Sequence, residues 1–353
     1  MTDSPKKLRI GKHLVGTDCP TFVVAEMSGN HGGSLERALE IVRAAKRAGA
    51  DAIKLQTYTA DTITLKCDTG DFRLPSGPWS DYATLWDLYD KAHTPWEWHE
   101  QIFREARNCD LEVFSSPFDL SAVDLLEQLE APAYKIASPE ITHIPLLERV
   151  ARTGKPIIIS TGIANLEDIA LALETLRNGG AQDIIMLKCT TSYPAPAEES
   201  NLRTIPDMID RFGVLAGLSD HTTGTAVAVA AVALGACLIE KHFTIDHSEE
   251  TVDSFFSSGE EEFARMVTDI HLVEKALGQV NYEIAPSAQE NLRGRRSLYV
   301  AAPIQAGEAI TEANIRCVRP SFGMHPRFYQ AVLGCRAKRA LQVGERLSWD
   351  LVE

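Results

Sequence analysis

Residues 214–244 read VLAGLSDHTTGTAVAVAAVALGACLIEKHFT. Two short apolar runs flank a stretch of small residues. Each run closes on chemistry: Ser219, Asp220 and His221 in the first, Lys241 and His242 in the second. Near-continuous apolar runs suit strands buried on both faces, as in parallel sheets. The stretch 224–234 between them has the composition of a returning helix. Six more runs repeat the unit upstream: 21–27 (TFVVAEM), 51–57 (DAIKLQT), 112–117 (EVFSSP), 133–138 (AYKIAS), 156–161 (PIIIST) and 184–190 (IIMLKCT). Most lie far enough apart for one strand and one helix. Residues 34–48, SLERALEIVRAAKRA, show apolar 3–4 spacing, a Ser start and Gly49 as a stop. Stretches 165–178 and 258–277 read the same way. Eight βα units predict an α/β fold, a (β/α)8 TIM barrel. A doubly wound sheet is the alternative, but no GxGxxG follows the first strand. The longest interruption, 58–94, predicts a functional lid or an insertion.

The texture changes after residue 278. A polar linker is expected over 279–294, and a small β-rich domain over 295–353, where RRSLYVAAPI and two Gly-Glu turns (Gly307-Glu308, Gly344-Glu345) mark short strands. That domain is too small for a second catalytic core, so it predicts binding or assembly beside a catalytic barrel over 1–278.

The chain has 353 residues, 44% of them apolar and 24% charged, an ordinary globular balance. No apolar run reaches the ~18–20 residues of a membrane helix. The polar start carries no secretory signal, so a cytoplasmic protein is expected. A formal charge of −14 disfavours nucleic acid and anionic membranes as partners. An anionic small molecule would need its own cluster of cations. Seven scattered cysteines without a CxxC predict reduced thiols.

Barrel sites form at the C-terminal ends of strands. Here those ends carry Glu26, Gln56, Ser115, Ser116, Ser138, Ser160, Thr161, Thr190, Thr191, Ser219, Asp220, His221, Lys241 and His242. Turn formation explains a Ser or Asp, but explains a Glu, Lys or His poorly. Lys54 and Lys135 lie inside apolar strands, where a lone ammonium costs several kcal/mol unless an anion meets it. Each points to an internal salt bridge or a ligand contact, and two on different strands favour an anionic substrate. Ser138, Ser160, Thr161 and Ser219 add hydroxyls at the same face. His221 and His242 close adjacent strands and are spaced to share one divalent cation, with several positions left open. Glu26, before Met27-Ser-Gly-Asn-His31-Gly-Gly, suits general acid/base or orienting work, and the glycines suit a flexible turn. The remaining histidines, His13, His93, His99, His143, His247, His271 and His325, read as surface or capping residues. Trp86, Trp96 and Trp98 read as packing.

The stretches AEMSGNHGGSLERA, DAIKLQTYTADT, FSSPFD, YKIASPE, STGIA, KCTTSYP, GLSDHT and IEKHF together resemble the sialic acid synthase family. The tail, RRSLYVA with GEAIT and VRP, resembles its C-terminal antifreeze-like, or SAF, domain. QTYTADT, LWDLYDKAHTPWEWHEQIF and VRPSFGMHPRFYQ are most similar to the branch that makes pseudaminic acid. The resemblance implies condensation of phosphoenolpyruvate with an open-chain amino sugar, here 2,4-diacetamido-2,4,6-trideoxy-L-altrose, giving a nine-carbon 2-keto acid and phosphate. It implies phosphoenolpyruvate contacts at Lys54, Lys135, Ser138, Ser160, Thr191 and Ser219. It implies amino-sugar contacts at Gln56, Tyr193, Asp253 and Arg319, metal ligands at His221 and His242, and Glu26 as the acid/base or orienting carboxylate. The metal implied is Mn²⁺, with Mg²⁺ or Co²⁺ as alternatives. Arg319 would reach the sugar in a partner's barrel, which implies a domain-swapped homodimer.

Competing expectations are an N-acetylneuraminate or legionaminate synthase of the same family, a Schiff-base aldolase using Lys135, and a carbohydrate-binding SAF protein with an inert barrel.

Overall fold

The structure is a computed structural model that describes residues 6–74, 77, 79–248 and 250–353. The first residues of the polar start, and Pro75, Ser76 and Pro78 of the long interruption, lie outside the described residues. Two compact units divide the chain, Met1–Gly278 and Gln279–Glu353.

The first unit opens with an antiparallel hairpin, β1 (Lys7–Ile10) and β2 (His13–Gly16), that the sequence reading did not include. Gly11 makes its turn at φ +54°, where a Cβ would also strike the Glu112 carboxylate. That carboxylate is already close because it accepts from the Lys12 N–H at 2.9 Å.

All eight expected strands then form: β3 (Phe22–Glu26), β4 (Ala52–Thr57), β5 (Glu112–Pro117), β6 (Tyr134–Ile136), β7 (Ile157–Ser160), β8 (Ile184–Cys189), β9 (Leu215–Asp220) and β10 (Leu238–His242). They close into a parallel barrel in the order β10-β3-β4-β5-β6-β7-β8-β9. Side chains alternate across a strand, and the alternation divides the core in two. Val23, Ala25, Ile53, Val113, Ile157, Met186 and Ile239 pack outward against helix residues such as Ile41, Leu146 and Leu173. Phe22, Val24, Ala52, Phe114, Ala133, Ile158, Ile185, Leu187, Leu215 and Leu238 fill the interior. Leu8, Ile10 and Val15 of the hairpin join that inner cluster and stopper the end of the barrel where the strands begin. At the other end the same inward alternation continues as Glu26, Lys54, Lys135, Ser160, Ser219, Glu240 and His242. A layer of polar side chains therefore sits on top of an apolar floor.

The helices start where local capping satisfies their free N–H groups. Ser34 accepts from Arg37 N at 3.3 Å to start Leu35–Arg47, and such a cap contributes ~1 kcal/mol. Asn165 and Asp168 form a reciprocal capping box on Leu166–Asn178. The last barrel helix spans Glu260–Leu277, not 258–277. Ser258 instead forms an isolated parallel bridge with Phe243, its N–H donating to His242 O at 2.8 Å. Among the described residues the interruption over 58–94 contains two α-helices, Ala60–Ile63 and Leu85–Ala92, the second begun by a Thr84–Asp87 capping box, and a 3₁₀ helix, Gly70–Phe72. No helix among the described residues is long and apolar enough to cross a membrane. All seven cysteines are free thiols.

The second unit is small and β-rich. β11 (Ser297–Val300) pairs antiparallel with β12 (Ile315–Val318), Ser297 opposite Val318, over a core of Leu298, Val300, Ile304, Ile315, Leu341 and Leu347. Its two Gly-Glu turns are built alike. Gly307 and Gly344 take φ +78° and +88°. The following carboxylates, Glu308 and Glu345, each accept from the N–H three residues earlier at 2.7 Å. The segment expected as linker, 279–294, contains a 3₁₀ helix, Pro286–Gly294, tied to this unit where Ser321 donates to Leu292 O and Arg293 O.

Candidate active site

Parallel pairing sets His242 beside Glu26, Glu26 beside Lys54, and Glu240 and Cys189 each beside Ser219. The inward side chains of these strands meet in one buried network. Lys54 Nζ pairs with Glu26 Oε2 at 2.6 Å and lies 3.8 Å from Glu240. Lys135 Nζ donates to both Glu240 oxygens, at 2.7 and 2.9 Å, and Ser219 Oγ donates to Glu240 at 3.1 Å. Lys54 also donates to Ser116 Oγ at 3.3 Å. Gln56 Nε2 donates to Glu26 Oε1 and to Ser28 Oγ, each at 3.0 Å, and Ser28 donates on to Asp253 at 2.5 Å. Asp253 also accepts from Gly29 N, so the glycine-bearing turn is not the flexible connection the sequence suggested. It is a buried 3₁₀ helix, Ser28–His31, tied down further by Asn30.

Both alternatives weighed for the lysines bear on this arrangement, because each ammonium already holds a carboxylate. Two ammonium groups and two carboxylates balance. Burial alone would raise the Glu240 carboxyl, but Lys135 and Lys54 outweigh it and hold it down at about 2. Burial pushes Glu26 up, against the pull of Lys54, and the neighbouring Glu240 charge adds to the rise. Of the two carboxyls, Glu26 is thus the one more readily protonated. The sequence reading passed over Glu240, although it stands two residues before His242 and so shares its inward side. Lys241, taken as a strand-end candidate, lies on the opposite side of β10 and pairs with Asp220 at 2.7 Å.

A second cluster lies beside the first. A Cβ on Gly162 would stand 2.0 Å from Thr191 Oγ1 and 2.9 Å from both Cys189 Sγ and Ser138 Oγ. These side chains therefore converge on a backbone that only glycine can supply, and Gly162 N donates to Ser138 Oγ at 3.0 Å. Ser160 Oγ is buried with no hydrogen-bond partner. A buried unpaired hydroxyl costs free energy unless a ligand meets it.

His221 and His242 face each other with ring centroids 5.3 Å apart. The Thr190 carbonyl can only accept, so His221 Nδ1, 2.9 Å away, carries a proton. Burial lowers His242 well below the ordinary histidine value, and its buried Nδ1 has no partner. A neutral imidazole with an orphaned nitrogen beside a second imidazole fits a divalent cation. Among the described residues no set of three His, Cys, Asp or Glu side chains closes around one point, so these two would hold an ion with open positions. Cys189 Sγ lies 3.9 Å from His221. Burial raises that thiol, but His221 outweighs it and brings it down to about 7.

Aromatic rings wall the histidine pair. Tyr193 packs on His221 at 4.5 Å and Phe256 on His242 at 4.7 Å. Trp79, from the long interruption, packs edge-on against Tyr193 at 5.6 Å, and its indole N–H donates to Val252 O at 2.9 Å. Neither Trp79 nor the phenylalanines were foreseen. Arg319 belongs to the second unit, where it lines a cavity of about 420 Å³ with Tyr299, Arg316, Pro320 and Val343. Two of the remaining histidines cap helices as expected, His143 and His325. His99 is a correction: it is fully buried and bonded to Thr57 Oγ1 at 2.9 Å, because its helix turns that face inward with Ile102, Phe103 and Ala106.

Comparison with known proteins agrees with this geometry. The NeuB family model matches residues 41–282, and the SAF domain model matches 295–353. The pseudaminic acid synthase of Campylobacter jejuni subsp. jejuni serotype O:2 is 45% identical over 331 residues, covering 94% of this chain and 96% of that protein. The N,N'-diacetyllegionaminic acid synthase of the same strain is 37% identical, covering 89% and 95%. The crystal structure of N-acetylneuraminic acid synthetase from Leptospira borgpetersenii serovar Hardjo-bovis, in complex with citrate, superposes with a TM-score of 0.73 at 29% identity, covering 82% of this chain and 95% of that one.

Proposed function

The chain belongs to the NeuB family, and we propose that within it the enzyme condenses phosphoenolpyruvate with 2,4-diacetamido-2,4,6-trideoxy-L-altrose, forming pseudaminic acid and phosphate. The observation that carries the reading is the buried set of inward side chains, two lysines, an unpaired serine hydroxyl and two imidazoles, above an apolar floor. Within one strain, the relative named for pseudaminic acid is more similar (45%) than the one named for legionaminic acid (37%).

Phosphoenolpyruvate brings a phosphate and a carboxylate, and Lys54 and Lys135 are the buried cations to meet them. Because both are already paired, anion entry redistributes contacts. As Lys54 turns toward the ligand, Glu26 loses its counter-charge and is driven further toward its neutral form. Neutral Glu26 then donates a proton to the aldehyde oxygen while C3 of the enol forms the new bond to sugar C1, so that oxygen becomes a hydroxyl. Water adds at C2, one of its protons restoring Glu26 and the other leaving with the phosphate as the C2–O bond to the phosphate breaks and the nine-carbon 2-keto acid forms. Ser138, Ser160, Thr191 and Ser219 offer hydroxyls to the anion, and Gln56, Tyr193 and Asp253 hold the sugar. A divalent cation held by His221 and His242, Mn²⁺ before Mg²⁺ or Co²⁺, would polarise the aldehyde as a Lewis acid. The same reading carries a domain-swapped homodimer in which Arg319 of one copy serves the sugar of the other. Full activity from a chain ending near residue 280 would remove that role.

Mass spectrometry of the product tests the proposal. Phosphoenolpyruvate and the diacetamido-trideoxy-altrose should yield the nine-carbon keto acid with release of phosphate. No product from that sugar, with product from N-acetylmannosamine or the legionaminate precursor, would move the enzyme to another branch of the family.

A further inference from the structure

The aromatic wall has a direction. Two paths lead out from the histidine pair, 4.5 Å to Tyr193 and 5.6 Å on to Trp79, and 4.7 Å to Phe256 and 4.9 Å on to Phe255, and their outer rings meet at 6.2 Å. Exposure rises outward: His221 and His242 are buried, Tyr193 and Trp79 are half-buried, and Phe255 is 48% exposed. The two steps from His221 to Trp79, 4.5 and 5.6 Å, are within reach of a six-carbon sugar carrying acetamido arms. A sugar with its aldehyde at the histidines therefore lays its far carbons along Trp79 and Phe255.

The two outer rings themselves offer a ligand nothing polar. The indole N–H of Trp79 is spent on Val252 O, and Phe255 has no polar atom. A hydroxyl set against these rings loses water without gaining a partner. A methyl group gains apolar burial. The inner end differs, because Gln56, Ser28 and Asp253 form a polar network there.

We propose that Trp79 and Phe255 are specificity-determining residues that select sugars whose far carbon ends in a methyl group over sugars bearing a hydroxyl there. This rests on the reading of the enzyme as a pseudaminic acid synthase and names the part of the site that makes the choice. Trp79 also joins two loops, since it comes from the 58–94 interruption and bonds to the segment carrying Asp253. The long interruption thus supplies a side of the sugar site.

The test compares kcat/KM for the diacetamido-trideoxy-altrose and for N-acetylmannosamine, at saturating phosphoenolpyruvate, in the native enzyme, Trp79→Ala, Phe255→Ala and Trp79→Phe. Apolar pockets discriminate single methyl or hydroxyl changes by ~10–200-fold. The native preference for the diacetamido sugar should therefore fall ~10-fold or more in both alanine variants, through the sugar KM, while the phosphoenolpyruvate KM stays unchanged. Trp79→Phe should recover most of the preference. Phe255 is half in solvent, so its variant reports even where Trp79→Ala fails to fold. A native preference with ratios unchanged in the variants would overturn the proposal alone. Equal losses on both sugars, or a loss in phosphoenolpyruvate KM, would show a merely structural wall and overturn it too. A native enzyme that prefers N-acetylmannosamine would overturn both the proposal and the reading beneath it.

Discussion

Replacing Lys54 by Met separates what this lysine does for the fold from what it does for the ligand. The substitution keeps most of the stem and removes one charge. In the native site Lys54 contacts Glu26 at 2.6 Å, and both side chains are almost fully buried. Without it, two buried carboxylates share one ammonium, and Glu26 has no counter-charge in contact. Breaking a buried pair in this way costs about 3–5 kcal/mol. The cost depends on pH. Burial already raises Glu26 from the ordinary value of 4.5, and losing Lys54 raises it further. A carboxyl raised in the folded state keeps its full contribution below its unfolded value and loses it as pH climbs through its folded one. Lys54→Met should therefore melt near the native enzyme at pH 5 and well below it at pH 8. The double variant Lys54→Met/Glu26→Gln carries no uncompensated charge and should recover most of the stability. Its affinity for phosphoenolpyruvate should not recover, because a charge-assisted contact worth ~1.5–3 kcal/mol is gone, about 10–150-fold in binding. Thermal melts at the two pH values and calorimetric titration with phosphoenolpyruvate read the two effects apart. Native affinity in the double variant would refute a ligand role for Lys54, and a native melt for the single variant at pH 8 would refute the charge balance.

Glu26→Gln should lose turnover by ~100-fold or more, in the range of general acid catalysis, while calorimetry still detects both substrates; native turnover would leave Glu26 a structural residue. Excess chelator should abolish phosphate release and added Mn²⁺ restore it, whereas an unchanged rate in chelator would remove the metal role of His221 and His242. Burial pushes Glu140 up to about 8 and leaves its Oε2 without a partner, so the native fold should lose stability as pH rises from the ordinary carboxylate range toward 8. Glu140→Gln should flatten that slope and melt higher than the native protein at pH 8, by ~1 kcal/mol or more; identical melts would show a solvated carboxyl.

The barrel was legible because each strand is an apolar run too short for a helix and closed by polar residues. The hairpin of β1 and β2 was not, since four-residue strands that expose Lys7 and Arg9 on alternate positions carry little apolar signal. The lysines and histidines stood out as charge within apolar runs. Glu240 did not, because attention to the strand tip stops at Lys241 and His242. Counting back by two from His242 reaches Glu240, and from His221 reaches Ser219, and these two are hydrogen-bonded. The same count sends Asp220 and Lys241 to the outer side, where they pair with each other. Trp79 and Phe255 had no such signal. They stand in loops, and Trp79 meets Tyr193 and Val252 across long stretches of sequence that no periodicity connects.

The hairpin stopper closes the barrel at the end where its strands begin. With the three-carbon acid at the lysines, as proposed, that acid would sit below the sugar and would enter before it. Release would then run in reverse, the nine-carbon acid ahead of phosphate. A hairpin far from the proposed chemistry would thereby bear on the order of events above it.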